Sequence, residues 1–303
     1  LTMDRLVALK VLHPELVRDE ESQARFAREM KATSVMEHPH TVTVYDYGTT
    51  SEGETFLVME MLKGRTLQDA IEDEAPFATK RVVHICRQMA QALSSAHEKG
   101  IVHRDIKPEN VMLLDSYGID DWVKVLDFGI ARLGEAPEGK QLTMTGTVLG
   151  TPAYMSPERA RGETCDHRSD IYALGVLTFA MACGRAPFEA TESLAVLFKH
   201  VSDQVPLLAS KGGDAHPGWL DDVIAWLMAK EPEQRPMDAS ELVAVLDAKM
   251  AGDETPVPGP GRAGGATEDA DTPTSTASAS ETVTSKGSGG SLKPSKTIIK
   301  PSS

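Results

Sequence analysis

The hydrophobic pattern of this 303-residue chain changes period once, near Gly64. Before that point apolar residues fall in short β-rich runs, Leu6 to Leu12, Val42 to Tyr47 and Thr55 to Met61. A single amphipathic helix candidate, Gln23 to Met36, interrupts them. After it the pattern is mostly helical: Thr79 to Glu98, which Gly100 stops, then Ile171 to Met181, Trp219 to Ala229 and Ala239 to Lys249. A small mixed lobe followed by a larger helical lobe predicts an α+β architecture with a cleft between the two.

Hydrophobic residues at 41% and charged residues at 25% suffice for a sizeable buried core. Residues 251–303 differ: they contain no aromatic residue, and Gly, Ser, Thr and Pro occupy 31 of 53 positions. Such a segment buries too little apolar surface to offset the entropy of ordering, so a disordered tail or linker is expected there. It carries 6 acidic and 5 basic residues, a net of −1, which leaves −13 of the formal −14 on residues 1–250. An acidic surface repels nucleic acid and anionic lipid, so neither is an expected partner. The three cysteines, Cys86, Cys165 and Cys183, show no C-x-x-C spacing and fit a reducing compartment. The longest apolar stretch, Ile171 to Cys183, has about half the length a membrane span needs and reads as a buried helix. With no leader-like segment at the start, a cytoplasmic location is expected.

The run His103-Arg104-Asp105-Ile106-Lys107-Pro108-Glu109-Asn110 places a carboxylate, an ammonium and a carboxamide within six positions of one loop. Phosphoryl transfer uses such a set: a group that orients the attacking hydroxyl, a cation for the moving phosphoryl and an oxygen ligand for magnesium. The competing reading is a solvated polar turn. Downstream, the strand-like run Val123 to Leu126 delivers Asp127-Phe128-Gly129, which suits a movable metal ligand but also describes many ordinary turns. Upstream, Val7-Ala8-Leu9-Lys10-Val11-Leu12 sets one lysine in an apolar strand. That lysine is either an edge residue facing water or a phosphate ligand held by a carboxylate, with Glu29 the candidate partner. Arg25, Arg28 and Lys31 surround Glu29, so a surface charge cluster competes there.

Taken in order, V-A-L-K, H-R-D-I-K-P-E-N, D-F-G and G-T-P-A-Y-M-S-P-E resemble the protein kinase family over roughly residues 6–248. The wording of H-P-H-T-V and D-F-G-I-A-R is most similar to bacterial members of the eukaryotic serine/threonine type. The resemblance implies a two-lobed kinase-like fold, with a partial small lobe over 1–62, a large lobe over 63–250 and the tail over 251–303. It implies ATP and Mg2+ as cofactors and protein Ser/Thr hydroxyls as substrates, with self-association for autophosphorylation.

Residue by residue, the resemblance has Lys10 pair with Glu29 and grip the nucleotide phosphates. Asp105 would orient the substrate hydroxyl, Lys107 would neutralise the transferring phosphoryl, and Asn110 and Asp127 would hold magnesium. Ala8 and Met112 resemble the residues that sandwich adenine, and Glu60, Met61 and Leu62 resemble the hinge whose backbone meets the base edge, behind Met59. These apolar positions read equally well as core. His103 reads as a core histidine supporting the loop. Lys107 and Thr151 match the serine/threonine class. Glu158 and Arg235 resemble a buried ion pair, and Asp170 resembles the aspartate that ties down the catalytic loop. Arg104, beside Asp105, resembles an arginine that pairs with a phosphorylated loop residue, for which Thr143, Thr145 and Thr147 are candidates; they read otherwise as polar loop residues.

One departure stands out. No G-x-G-x-x-G loop precedes Lys10. A fragment of a longer product, a late-assigned start and a pseudokinase scaffold are the competing explanations. Retention of Lys10, Asp105, Asn110 and Asp127 favours an active-type kinase over an adaptor.

Overall fold

Strand β1 (Val7–Val11) pairs antiparallel with β3 (Thr55–Glu60), which also pairs antiparallel with β2 (Val44–Thr49). This computed structural model describes residues 6–12, 20–34, 36–116, 118–128, 151–213 and 215–259, all within one compact unit, Leu1–Ala263. Thr143, Thr145, Thr147 and Gly129 therefore lie outside the described residues, as do residues 260–303.

The order β1-β3-β2 puts β1 at a margin of the sheet. Its alternation is strict: Ala8 and Lys10 turn inward, while Val7, Leu9 and Val11 face out, Leu9 at 62% exposure. Helix α1 (Glu20–Ser34) closes the inner face, where Leu12, Phe26, Met30, Val42, Val44, Leu57 and Met59 form a small apolar cluster.

Gly64 marks the passage to the large lobe for a steric reason: a Cβ there would lie 2.2 Å from the Leu113 carbonyl oxygen. Two residues of β4 (Arg65–Thr66) lead into α2 (Leu67–Glu74). Thr66 caps that helix, its hydroxyl accepting from Asp69 N–H while the Asp69 carboxylate accepts from Thr66 N–H. Helix α3 (Thr79–His97) follows, then β5 (Val111–Ser116) and β6 (Ile119–Val125), which form an antiparallel hairpin beside β4.

The rest is helical: α4 (Pro157–Ala160), α5 (Arg168–Cys183), α6 (Ser193–Ser202), α7 (Gly218–Leu227) and α8 (Ala239–Met250). Helix α5 is buried continuously from Ser169 to Ala182, as a helix apolar on all sides must be, and Gly184 ends it with φ 75°. The main core gathers around it, with Met89 and Leu93 of α3, Leu174 and Leu177 of α5, and Leu227 of α7 all fully buried. Each large apolar side chain buried in this way stabilises the fold by about 1.5–3 kcal/mol.

The two parts are joined along Thr41 and Val125, a parallel bridge flanked by Val42 N–H to Val125 O (2.9 Å) and Val125 N–H to His40 O (2.9 Å). Beyond α8, residues 251–259 fold back, so that a Cβ at Gly259 would meet Trp226 at 2.5 Å. Among the described residues, no helix is long and apolar enough to cross a membrane.

Candidate active site

The loop between α3 and β5 is held from below by one carboxylate. Asp170, fully buried in the first turn of α5, accepts from His103 N–H and Arg104 N–H, each at 2.8 Å, and from His97 Nε2 at 2.9 Å. Burial alone would raise the carboxyl of Asp170, but the His97 hydrogen bond and neighbouring positive charge outweigh it and hold the group below the usual range. The buried His103 ring links the loop to the strand beyond. Its Nε2 donates to Leu126 O at 2.7 Å, which leaves Nδ1 to accept from Asp105 N–H at 3.2 Å. Phe128 packs edge-on against the same ring at 4.7 Å between centroids. His103 is thus a structural support, as the sequence suggested.

Clamped in this way, the chain turns sharply at Arg104, whose φ of 68° is left-handed. A non-glycine residue there is strained, and such strain persists only where surroundings over-determine it. Both poles of the residue are indeed held: Asp170 takes its N–H, and the Arg159 guanidinium of α4 donates to its carbonyl. Asp105 emerges next. Its Oδ2 lies 2.7 Å from Lys107 Nζ and accepts from Asn110 Nδ2 at 3.0 Å, so neither contact engages Oδ1. Asn110 Nδ2 also donates to Asp105 O at 2.8 Å, which fixes the amide.

Asp127 reaches the same place from the end of β6. Leu126 N–H donates to Asn110 O at 2.9 Å, placing Asn110 and Asp127 side by side, and Asp127 is itself left-handed with φ 62°. The partner the structure gives Lys10 is Asp127, with Lys10 Nζ 2.5 Å from Asp127 Oδ2. Glu29, expected to hold Lys10, sits half-buried on α1, one turn before Thr33. Thr33 ties that helix to the site: its hydroxyl contacts Glu29 O at 2.9 Å and Phe128 O at 3.4 Å. Nothing in the sequence marks Thr33.

The remaining candidates are spread over β1, β3, β5 and the segment before α4. Ala8 and Leu62 are half-buried and pack on the small-lobe cluster; Met112 is half-buried in β5 and lies outside the main core. Met59 is buried and Met61 half exposed. Glu60 has its N–H on Thr43 O at 3.0 Å, and its Oε1 accepts from Thr43 N–H and contacts Lys124 Nζ, both at 2.7 Å. The Glu60 amide is therefore occupied, and Met61 and Leu62 follow outside any strand or helix. Thr151, with Tyr154, Met155 and Ser156, shares the walls of a small cavity with Arg104, Asp105 and Ile106.

Glu158 and Arg235 form the buried pair that the sequence suggested. Arg235 meets both carboxylate oxygens at 2.8 Å, and Ser169 Oγ donates to Oε1 at 2.6 Å.

Residues 2–245 match the sequence profile of the protein kinase domain. The chain belongs to the protein kinase family. Among curated proteins, the serine/threonine-protein kinase pkn3 of Myxococcus xanthus is 41% identical over 251 residues, 82% of this chain and 46% of that protein. Serine/threonine-protein kinase PknB of Mycolicibacterium smegmatis is 40% identical over 252 residues, 81% of this chain and 39% of that protein. The chain thus spans less than half the length of these relatives. Among solved structures, the kinase domain of Mycobacterium tuberculosis PknI superposes with a TM-score of 0.61 at 27% identity, covering 80% of this chain and 85% of that one. The two-lobed α+β kinase fold expected from the sequence is the fold observed.

Proposed function

We propose that this chain transfers the γ-phosphoryl group of ATP to Ser or Thr hydroxyls of proteins, with Mg2+, and that Asp105, Lys107, Asn110, Asp127 and Lys10 carry the reaction. The supporting observation is their convergence: three residues of one strained loop within hydrogen-bond reach of each other, joined through Leu126 to a second acidic residue that holds a lysine. In this reading Asp105 Oδ1 orients the acceptor hydroxyl and takes its proton, and Lys107 meets the developing phosphoryl charge. Asn110 Oδ1 and the Asp127 carboxylate are hard oxygen donors, and two such groups plus phosphate oxygens suit Mg2+, which seldom uses an all-protein cage. Bound ATP and Mg2+ supply the transferable group and neutralise its charge.

Lys10 would hold the α- and β-phosphates of the nucleotide, with Glu29 as its carboxylate partner. Ala8 and Met112 flank the adenine, and Glu60 to Leu62 meet its edge. Residues 1–62 form part of the small lobe and 63–250 the large lobe; the tail expected from residue 251 starts later, because 251–259 pack on the large lobe through Val257 and Gly259. The protein works in the cytoplasm, where Cys86, Cys165 and Cys183, which carry no disulfide, stay reduced. By the family resemblance, Arg104 pairs with a phosphate on Thr143, Thr145 or Thr147, so phosphorylation between two copies of the chain switches activity on.

The second reading, a kinase-like adaptor without turnover, draws support from the bare outer face of β1, where Leu9 and Val11 are 62% and 52% exposed. One experiment separates them. The full-length protein is incubated with Mg-ATP and a Ser/Thr peptide library, then mapped by mass spectrometry. The kinase reading predicts phosphate on peptide Ser/Thr and on Thr143 or Thr145, with peptide transfer reduced in a Thr143→Ala/Thr145→Ala variant. Absence of any transfer supports the adaptor.

A further inference from the structure

Helix α6 carries a fully buried histidine whose bonds run in one direction only. His200 Nε2 lies 3.0 Å from Ala153 O, and His200 Nδ1 lies 2.9 Å from the Tyr172 hydroxyl of α5. A carbonyl can only accept, so Nε2 carries the hydrogen and Nδ1 accepts from Tyr172 O–H. The ring cannot easily gain a second proton: burial, and then the nearby Lys230 ammonium, lower it to about 4. Lys230 also fixes the backbone of this residue, with its Nζ donating to His200 O at 2.8 Å while lying 4.7 Å from the Phe188 ring centre. Phe188 in turn stands edge-on to the imidazole at 5.0 Å.

The acceptor of this chain of bonds matters. Ala153 is the middle of a single 3-10 turn, Pro152–Tyr154, whose own hydrogen bonds are long: Tyr154 N–H to Thr151 O at 3.2 Å and Met155 N–H to Pro152 O at 3.3 Å. A turn this short has little rigidity of its own. Its neighbours Thr151, Tyr154 and Met155 wall the same cavity as Asp105 and Ile106. On the kinase reading, a polypeptide that presents a hydroxyl to Asp105 would pass beside this turn. Helix α5, buried over its whole length, is the rigid body to which His200 connects it.

We infer that His200 is a positioning residue for the protein substrate: it relays the fixed place of Tyr172 to the Ala153 carbonyl and so sets the height of the Thr151–Met155 segment relative to Asp105. The inference rests on the reading of Asp105 as the residue that receives the acceptor hydroxyl. It assigns His200 no contact with ATP or with the reacting atoms.

Two amide substitutions separate the bond from mere packing. In His200→Gln the side-chain NH2 falls near the position of Nε2 and still donates to Ala153 O. In His200→Asn the shorter amide reaches only the position of Nδ1, and the carbonyl is left without its donor. Steady-state transfer to a Ser/Thr peptide is measured on the full-length protein and both variants, varying peptide and ATP separately, alongside hydrogen exchange of the 153–155 amides.

The expected result is a KM for peptide raised about five- to tenfold in His200→Asn, the scale of one lost buried hydrogen bond. KM for ATP stays within about twofold, the 153–155 amides exchange faster, and His200→Gln recovers most of both changes. Equal behaviour of the Asn and Gln variants, or unaltered exchange in the Asn variant, overturns the positioning role while leaving the kinase reading intact. No transfer by the parent protein overturns the kinase reading and this role with it.

Discussion

Arg235 shows how much one side chain can be asked to do. All five of its guanidinium hydrogens are used: Nε on Ala229 O, one terminal nitrogen on Glu158 and Arg168 O, the other on Glu158 and Lys230 O, at 2.8–3.0 Å. No lysine reproduces that fork. Removing it leaves the buried Glu158 carboxylate without its countercharge, with Ser169 Oγ still bonded to it, and takes a donor from three backbone carbonyls, so Arg235→Met should destabilise the large lobe by about 3–5 kcal/mol in urea unfolding. A loss under about 1 kcal/mol would mean that the pair contributes no more than a surface one.

The same pair predicts a pH dependence. Burial pushes the Glu158 carboxyl up, but Arg235 more than compensates and holds it at about 2, below its ordinary 4.5. A carboxyl depressed on folding stabilises fully above its unfolded value and loses that contribution as pH falls through its folded one. The parent should therefore lose stability between about pH 4.5 and pH 2, and lose more over that window than Arg235→Met. Parallel curves would remove Glu158 from the acid response.

At the scale of elements, the joint between the lobes is narrow and its parts can be weighed separately. Thr66→Ala removes the hydroxyl half of the α2 capping box, leaves the residue 66 N–H on the Asp69 carboxylate, and should cost about 1 kcal/mol. Gly64→Ala forces a Cβ against the Leu113 carbonyl and should cost about 1–3 kcal/mol through a backbone shift. Thermal unfolding of the two variants checks the order, and a Gly64→Ala protein as stable as the parent would show that the joint yields freely.

What the sequence disclosed follows from contact range. The loop from His103 to Asn110 was legible because its contacts are local: Asn110 reaches back five residues to Asp105. Helix α5 was legible because a helix buried on every side must be apolar throughout. Helix α6 was not, since Leu194 and Phe198 are exposed apolar residues that blur its period, and α2 is too short, at eight residues, for periodicity to register. The partner of Lys10 lies 117 residues away, a distance over which sequence pattern carries no geometry. His200 escaped for the same reason. A histidine in an apolar helix reads as core, and only the fold brings it to Ala153.

For the molecule as a whole, the main core around α3, α5 and α7 is a foundation on which the small sheet and the Pro152–Tyr154 turn are carried. Residues 251–259 belong to that foundation, because Val257 packs on the core and Gly259 meets Trp226. Truncation after Gly259 should leave the melting temperature unchanged, whereas truncation after Gly252 uncovers Trp226 and should lower it by a few degrees, about 1 kcal/mol in a lobe of this size. Intrinsic Trp fluorescence follows both. An equal loss on either truncation would mean that residues beyond Gly259 also stabilise the fold.

The central claim is that Asp105 and Asp127 face one reaction. The direct measurement is phosphate transfer to a Ser/Thr peptide by the full-length protein, set beside Asp105→Asn and Asp127→Asn proteins whose melting temperatures match the parent. The account predicts transfer by the parent and a fall of at least about a hundredfold in each variant, the scale expected when a proton-accepting or charge-bearing group is lost. Equal transfer in either folded variant would contradict it.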